Sequence, residues 1–360
     1  MPSILFIADH RLKRSPSQRF RFEQYLTYFE SCGYSWELSE IITEKDDAVF
    51  YGAGSYFQKA WILLKSLFIR LNDVRRAKNF DIVFIQREAL LLGSAFFEKQ
   101  LYKQSKVIFD FDDSIWLLDV SAENKKFSFL KNPNKTKTAI KHAHSVIAGN
   151  AYLANYAKQF NNNVIIIPTT VDTNWHKPLN TNRVGDKVVI GWSGSITTIK
   201  HFELAIPVLK KLQQKYLQLE IQVIAQSFYS NPELDIVSKI WNAKTEVEDM
   251  NAFDIGIMTI PNDEWAKGKC GLKGLTYMAC GIATVMSAVG VNNDIINHGE
   301  NGFLIHNTEE LENYLSKLIE DKTLRERLGK AGRETVVKYY SVEANKERYL
   351  KLFEELIVKG

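Results

Sequence analysis

The sequence predicts an α/β protein built from two doubly wound parallel-sheet domains. Three observations carry this expectation. The 360 residues exceed one ordinary domain and fit two. Short runs rich in β-branched and aromatic residues alternate with longer segments of helical apolar spacing. The alternation halts at residues 171–186, VDTNWHKPLNTNRVGD, a polar stretch with Pro and Gly, and then begins again.

In chain order, residues 3–8 are a continuous apolar run, as in a buried strand. Residues 18–31 read as a helix stopped by Gly33. Residues 81–86 (DIVFIQ) and 106–111 (KVIFDF) are strands, as are 145–148 and 164–167, the last ended by Pro168. Repeated strand–helix units imply right-handed crossovers and parallel pairing. Beyond the polar stretch, residues 187–191, 220–225, 254–259 and 283–286 read as strands, and 200–216, 311–320 and 324–339 as helices. Ser341 is placed to cap a last helix running to about residue 358. The expected organisation is a first domain over 1–170, a linker over 171–186, a second domain over 187–340 and a final helix over 341–360.

Composition narrows the class. Hydrophobic residues make up 45% and charged residues 24%, the balance of a globular chain rather than a disordered one. No run of about 18 apolar residues is present to span a bilayer. The N-terminus, MPSILFIADH, lacks a basic segment before its short apolar run and reads as a first strand, not a signal peptide. The three cysteines, Cys32, Cys270 and Cys280, form no CxxC pair, which points to a reducing cytoplasm and no structural zinc. The net charge of +4 is uneven: residues 1–170 carry +6 and the remainder −2. That is too small for a nucleic-acid binder, and the acidic half has the wrong sign. A basic first half suits a phospholipid surface or a lipid-phosphate acceptor.

The richest stretch is residues 265–301, which opens WAKGKCGLKG. Lys269 and Lys273 stand four apart at a helix start, on one face and near the positive end of the helix dipole. Gly268 and Gly271 allow backbone N–H groups to approach a ligand closely. Such a site suits phosphate. Read alone, two lysines at this spacing describe an ordinary solvated helix start. The residues that follow, YMACGIATVMS (277–287), VGVN (289–292) and GENGFL (299–304), change that reading.

These segments resemble glycosyltransferase family 4, and most closely a subgroup with W-x-x-G-K-C-G-x-K before a YMA-x-G segment. The chain matches that subgroup at Trp265, Gly268, Lys269, Cys270, Gly271, Lys273, Tyr277, Met278, Ala279 and Gly281. It departs from the wider family at the E-x7-E pair, where Gly268 and Thr276 stand in place of the glutamates. The resemblance implies a GT-B architecture: two Rossmann-like domains facing a cleft, with the C-terminal helix crossing back to the first. It implies a nucleoside diphosphate sugar as donor, a glycan or lipid-linked acceptor, retention, and no catalytic metal. The donor-binding set would be Gly194, Ser195 and Lys200, from GWSGS (191–195) and the next helix start, with Gly268, Lys269, Cys270, Gly271 and Lys273; Lys269 would also act in catalysis. Thr276 would face the donor nucleoside. Trp241 is a candidate to stack on the base or to serve as a core aromatic.

In the first half, DFDD (110–113) ends a buried-type strand, so its carboxylates lie at the strand's carboxyl end. A metal reading of this D-x-D conflicts with the doubled sheet pattern. Asp112 and Asp113 are the catalytic candidates, to touch the donor sugar or orient the acceptor hydroxyl; Asp110 is expected to serve structurally. Arg19 and Arg21 open the first helix and suit phosphate oxygens of donor or acceptor. Residues 56–78 hold six basic residues and one acid, with Trp61, Leu64, Phe68 and Leu71 at helical spacing. That stretch fits an anionic membrane surface, or equally a core-packed helix with a basic outer face. A non-catalytic sugar-nucleotide-binding module and an epimerase on the same fold are the competing functions, the loss of both glutamates being the argument for the former.

Overall fold

The computed structural model describes residues 1–52, 54–117, 132–179 and 186–358. The chain divides into two compact units, Met1–Thr169 with Asn345–Gly360, and Thr170–Ala344. Each is built on one six-stranded parallel sheet. The first contains β1 (Ser3–His10), β2 (Ser35–Ile42), β3 (Ile82–Gln86), β4 (Lys106–Phe111), β5 (Ser145–Ala148) and β6 (Val164–Ile166), in the order β2-β1-β3-β4-β5-β6. The second contains β7 (Val188–Ser193), β8 (Leu219–Ala225), β9 (Ile236–Ile240), β10 (Ile255–Met258), β11 (Ala283–Ser287) and β12 (Phe303–Ile305), in the order β12-β11-β10-β7-β8-β9. Chain direction across each sheet therefore reverses once, between β1 and β3 and between β7 and β10. Such reversals open a crevice at the carboxyl ends of the strands, where α/β sheets bind ligands.

The strands form because their side chains are buried on both faces. In β1, Ile4 to Ala8 are all inaccessible to solvent. Phe6 stacks on Phe22 at 4.7 Å, which turns Phe22 out of helical geometry. The helix expected over 18–31 is consequently broken into Pro16–Arg21, a 3₁₀ turn at Glu23–Tyr25, and Leu26–Ser31. The helix expected over 200–216 is likewise two pieces, Ile199–Glu203 and Ile206–Lys215; Pro207, in the first turn of the second piece, has no N–H to continue the first. The sequence reading missed β2, β9 and β12. Edge strand β2 alternates exposed and half-buried residues over its first half, and its pairing with β1 decides its conformation.

The final helix, Val342–Val358, returns to the first unit from Asn345 on. Tyr349 packs on Tyr25 at 4.7 Å and Phe353 on Phe29 at 5.1 Å, and the Tyr349 hydroxyl donates to the Arg21 carbonyl at 2.7 Å. Residues 171–179 do not behave as a free linker. Val171 bridges to Ser341, Arg333 donates to the His176 and Thr173 carbonyls, and Asn251 Oδ1 accepts from the Leu179 N–H, so this stretch is bonded into the second unit. Residues 180–185 of the expected linker lie outside the described residues.

A buried ion pair ties the first unit together. Arg21 Nη2 lies 2.5 Å from Asp110 Oδ1, both side chains are fully buried, and Arg21 Nη1 donates to the Ile167 carbonyl at 2.7 Å. The pair joins the first helix, β4 and the segment after β6. Removing one partner strands the other charge away from water, so Asp110→Ala should cost about 3–5 kcal/mol by denaturant unfolding. Replacing both partners by apolar residues of similar volume should recover much of that loss. A single substitution costing under about 1 kcal/mol would show that the pair does not hold the unit.

Candidate active site

In the second unit, the loops after β7, β10 and β11 meet beyond the carboxyl edge at the reversal point. Gly194 and Ser195 follow β7. Tyr277, buried, fixes the end of that strand by accepting the Ser193 N–H at 2.8 Å. The Ser195 hydroxyl contacts those of Thr197 (2.9 Å) and Thr198 (3.2 Å), closing a small turn. After β10, Thr259 Oγ1 donates to the His201 carbonyl at 2.6 Å and the Ile260 N–H to Ser287 Oγ at 3.0 Å. After β11, Asn292 Nδ2 donates to the Ser287 carbonyl at 2.9 Å. These bonds bind the three loops into one floor.

The lysine loop sits on this floor. Asp263 caps the short helix Glu264–Lys267 through the Ala266 N–H, and Gly268 ends it. Gly271 then starts the helix Leu272–Ala279 at φ +71, a left-handed conformation that excludes β-branched and bulky residues. A Cβ on Gly271 would also stand 2.3 Å from Ile295 Cδ1. Lys273, on the first turn, runs back along the β7 loop: a Cβ on Gly194 would lie 2.7 Å from Lys273 Cε. The missing side chain at Gly194 is what lets the two loops close on each other. The ammonium of Lys273 lies 5.4 Å from the Trp192 ring centroid and that of Lys269 5.2 Å from Trp265.

His201 reads out the local field. It is buried, and its pKa is pushed down to about 4, first by burial and then by the charges of Lys273, Lys269 and Lys200; Asp263 opposes them weakly. Three ammonium groups therefore converge on one neutral imidazole beside a helix N-terminus. Such a site attracts an anion with several oxygens.

The first unit has a corresponding edge of opposite character. Gln86 pairs with Asp110 in register, so β3 and β4 end level, with Arg87 and Glu88 following one and Asp112 and Asp113 the other. Ser17 Oγ donates to the Asp112 carboxylate, 2.7 Å from each oxygen, and in turn accepts from Gln86 Nε2 at 2.6 Å. Arg87 reaches Asp113 Oδ2 at 3.2 Å and stands 3.7 Å from Asp112 Oδ1. Its backbone lies at φ +66, a strained conformation for a non-glycine residue, and its N–H donates to the Asp110 carbonyl at 2.7 Å. Lys135, buried, contacts Glu88 at 2.6 Å and Glu98 at 3.7 Å. Asp9, at the end of β1, has its pKa pushed up to about 7 by burial and by Glu88, and among the described residues its Oδ1 has no hydrogen-bond partner.

Comparisons with known proteins bear on this geometry. Residues 264–335, which contain the lysine loop, match the family model described as glycosyl transferases group 1. Solved structures resemble the chain over nearly its whole length. Sucrose-phosphate synthase from Thermosynechococcus elongatus has a TM-score of 0.71 at 16% identity, covering 100% of each chain. A glycosyltransferase from Rickettsia africae ESF-5 has a TM-score of 0.69 at 15% identity, over 99% of this chain and 98% of that one. Anabaena HepE in complex with UDP-glucose has a TM-score of 0.69 at 13% identity, over 98% and 99%. The fold is GT-B, two Rossmann-like domains in one chain. No curated protein matches the sequence.

Of the residues proposed from sequence for the GT-B donor side, Lys200, Lys269 and Lys273 all act on His201, Gly194 packs on Lys273 and Gly271 on Ile295, with Ser195 next to Gly194 and Gly268 at the foot of the lysine loop. Cys270 is buried in the same loop, its thiol 3.8 Å from the Gly268 carbonyl. Thr276 is buried, and its hydroxyl donates to the Lys273 carbonyl at 2.8 Å, a bond within its own helix. Trp241 packs partly buried against the cluster of Val189, Ile224, Phe253 and Tyr277. On the first unit, Asp112 and Asp113 share the Arg87 edge. Arg21 is a correction: its guanidinium is fully buried and engaged by Asp110 and the Ile167 carbonyl, the place of a structural ion pair. Arg19 lies over the Phe20 ring, its Cζ 5.2 Å from the centroid.

Sequence reasoning missed His201, Asn292, Ser17, Arg87 and Asp9 as site residues. Asp9, near the end of β1, and Arg87, directly after β3, carried a legible signal, being charged residues at the carboxyl ends of buried parallel strands. Asn292 is fully buried, and among the described residues its Oδ1 has no partner.

The field at His201 is testable. A depressed folded-state pKa means that the stability gained by keeping the ring neutral is present above the unfolded value near 6.5 and is lost as pH falls toward 4. NMR titration of the imidazole should give a midpoint near 4, and Lys273→Met should raise it. A midpoint unmoved by Lys273→Met would disprove the convergence of charge.

Proposed function

We propose that the protein is a glycosyltransferase that moves a sugar from a nucleoside diphosphate sugar to a hydroxyl of a glycan or lipid-linked acceptor, with retention, in cell-envelope polysaccharide synthesis in the cytoplasm. The observation that carries this reading is the convergence of Lys200, Lys269 and Lys273 on His201 at the reversal point of the second sheet, within and beside the segment that matches glycosyl transferases group 1. The diphosphate would lie against these ammonium groups and the N–H groups of residues 271–273. In that role they neutralise the leaving group as its charge develops, and the lysines supply the positive charge that a divalent ion provides elsewhere. On the acceptor side, Asp112 and Asp113, fixed by Ser17 and Arg87, would orient the hydroxyl. Asp9, with a pKa near neutrality, is suited to take its proton.

A second reading has its own support. Gly268 replaces one family glutamate, and the Thr276 hydroxyl is engaged with its own helix, which favours a module that binds a sugar nucleotide weakly and does not transfer.

A thermal-shift panel of UDP, GDP, CDP, ADP and their sugars, with and without magnesium, separates the readings. Ligand at a hundredfold its Kd stabilises by about 2.7 kcal/mol. We expect one nucleotide family to raise the melting temperature without metal. Lys269→Ala and Lys273→Ala should each weaken that binding by about ten- to a hundredfold. No shift with any nucleotide would overturn the assignment. Asp112→Asn should bind donor normally and lose about a hundredfold or more in turnover. Full turnover in that variant would remove Asp112 from catalysis, and binding without transfer by the unaltered protein would favour the second reading.

A further inference from the structure

The helix Tyr56–Arg76 buries charged residues on its inner side and leaves a second apolar stripe in solvent. Its inward face is Ile62, Ser66, Arg70 and Asp73. Arg70, fully buried, donates to the Ala8 carbonyl at 2.8 Å, to Ser39 Oγ at 2.9 Å and to Asp73 Oδ2 at 2.8 Å. The outward face is the apolar stripe: Phe57 is 94% exposed, Trp61 65%, Leu64 42%, Phe68 64% and Leu71 40%. These positions recur at i, i+4, i+7, i+11 and i+14, one continuous line along the helix. A helix packed on its own core turns such residues inward, so this stripe does not serve the first unit's core.

Charge accompanies the stripe. Asp73, the one acid of residues 56–78, is buried against Arg70 and Arg76. Arg75 continues the stripe by one turn and is exposed, as is Lys78. The helix Phe96–Tyr102 packs alongside and exposes Phe96, Lys99 and Tyr102, followed by exposed Lys103. Aromatic rings flanked by cations, with no outward carboxylate on the Tyr56–Arg76 helix, match the boundary of an anionic bilayer. A second copy of the chain docked here by two-fold symmetry would bring the same cations against each other.

We infer that this face lies on an anionic phospholipid surface, with Phe57, Trp61 and Phe68 entering the interface and Arg75, Lys78, Lys99 and Lys103 meeting lipid phosphates. The inference does not depend on the proposed transfer activity.

The test is co-sedimentation of the full chain with vesicles of phosphatidylcholine alone and of phosphatidylcholine with phosphatidylglycerol. Binding is expected only to the anionic vesicles, and should be weakened by salt. Trp61→Ser with Phe68→Ser should reduce it by about tenfold or more. Arg75→Gln and Lys78→Gln should each reduce it about fivefold. Melting temperatures of the variants, with and without nucleotide, should match the parent, so that unfolding is not mistaken for lost binding. Absence of vesicle binding, equal binding to neutral vesicles, or vesicle binding untouched by the Trp61 and Phe68 substitutions would overturn the inference. So would sedimentation velocity showing that those substitutions dissolve a dimer while vesicle binding persists.

Discussion

Burial of both faces of a parallel sheet is the constraint on which the rest of this structure depends. Once helices cover each face, the strands must be apolar along their length, as Ile4 to Ala8 and Ile82 to Ile85 are. Polar chemistry is then excluded from the sheet body and gathers where strands end. The reversal of direction between β1 and β3, and between β7 and β10, leaves a gap at that edge in each unit. Two residues whose protonation is displaced by burial, Asp9 and His201, lie at those two gaps. Their displacement follows from the same burial that makes the strands.

The exceptions to apolar burial are informative. Arg21 with Asp110, and Arg70 with Asp73, are inside the first unit, each charge matched by an opposite one and by carbonyl acceptors. Pairs of this kind add little stability compared with apolar packing, but they tolerate little misplacement. Arg21 fixes the first helix against β4, which places Ser17, one turn earlier, to hold Asp112. Arg70 occupies the inner side of its helix together with Ile62, Ser66 and Asp73, and the stripe from Phe57 to Leu71 lies on the outer side. The buried ion pair and the exposed aromatic stripe thus occupy opposite sides of one helix.

The fold was largely legible because parallel strands announce themselves as apolar runs and because the run pattern occurs twice. What was not legible depended on partners distant in sequence. Edge strand β2 is alternately exposed and only gains its identity by pairing with β1. The break at Phe22 follows from its stack on Phe6. In the candidate site, the glycine and lysine spacing of 268–273 was visible in one dimension, whereas the approach of Lys273 to Gly194 across the sheet was not. Arg21 and Arg19 looked alike in sequence. Only one faces Asp110, and a two-residue offset on a helix turns side chains about 200° apart. The stripe at Phe57, Trp61 and Phe68 was legible as periodic, but periodicity does not say which face turns inward.

Net charge also proved a poor guide to local charge. The first half of the chain carries +6, yet the carboxyl edge of its sheet presents Asp9, Glu88, Asp112 and Asp113. The second half carries −2, yet its edge gathers Lys200, Lys269 and Lys273. Each edge opposes the sign of the half that holds it. The surplus cations of the first half sit elsewhere, on the outward side of Tyr56–Arg76 and the helix beside it. A carboxylate edge suits hydroxyl groups, and a lysine edge suits an anion with several oxygens. Within the first edge Arg87 and Lys135 offset part of the acidic charge, so the sign of an edge is set by a few local pairings and not by the composition of the half that holds it.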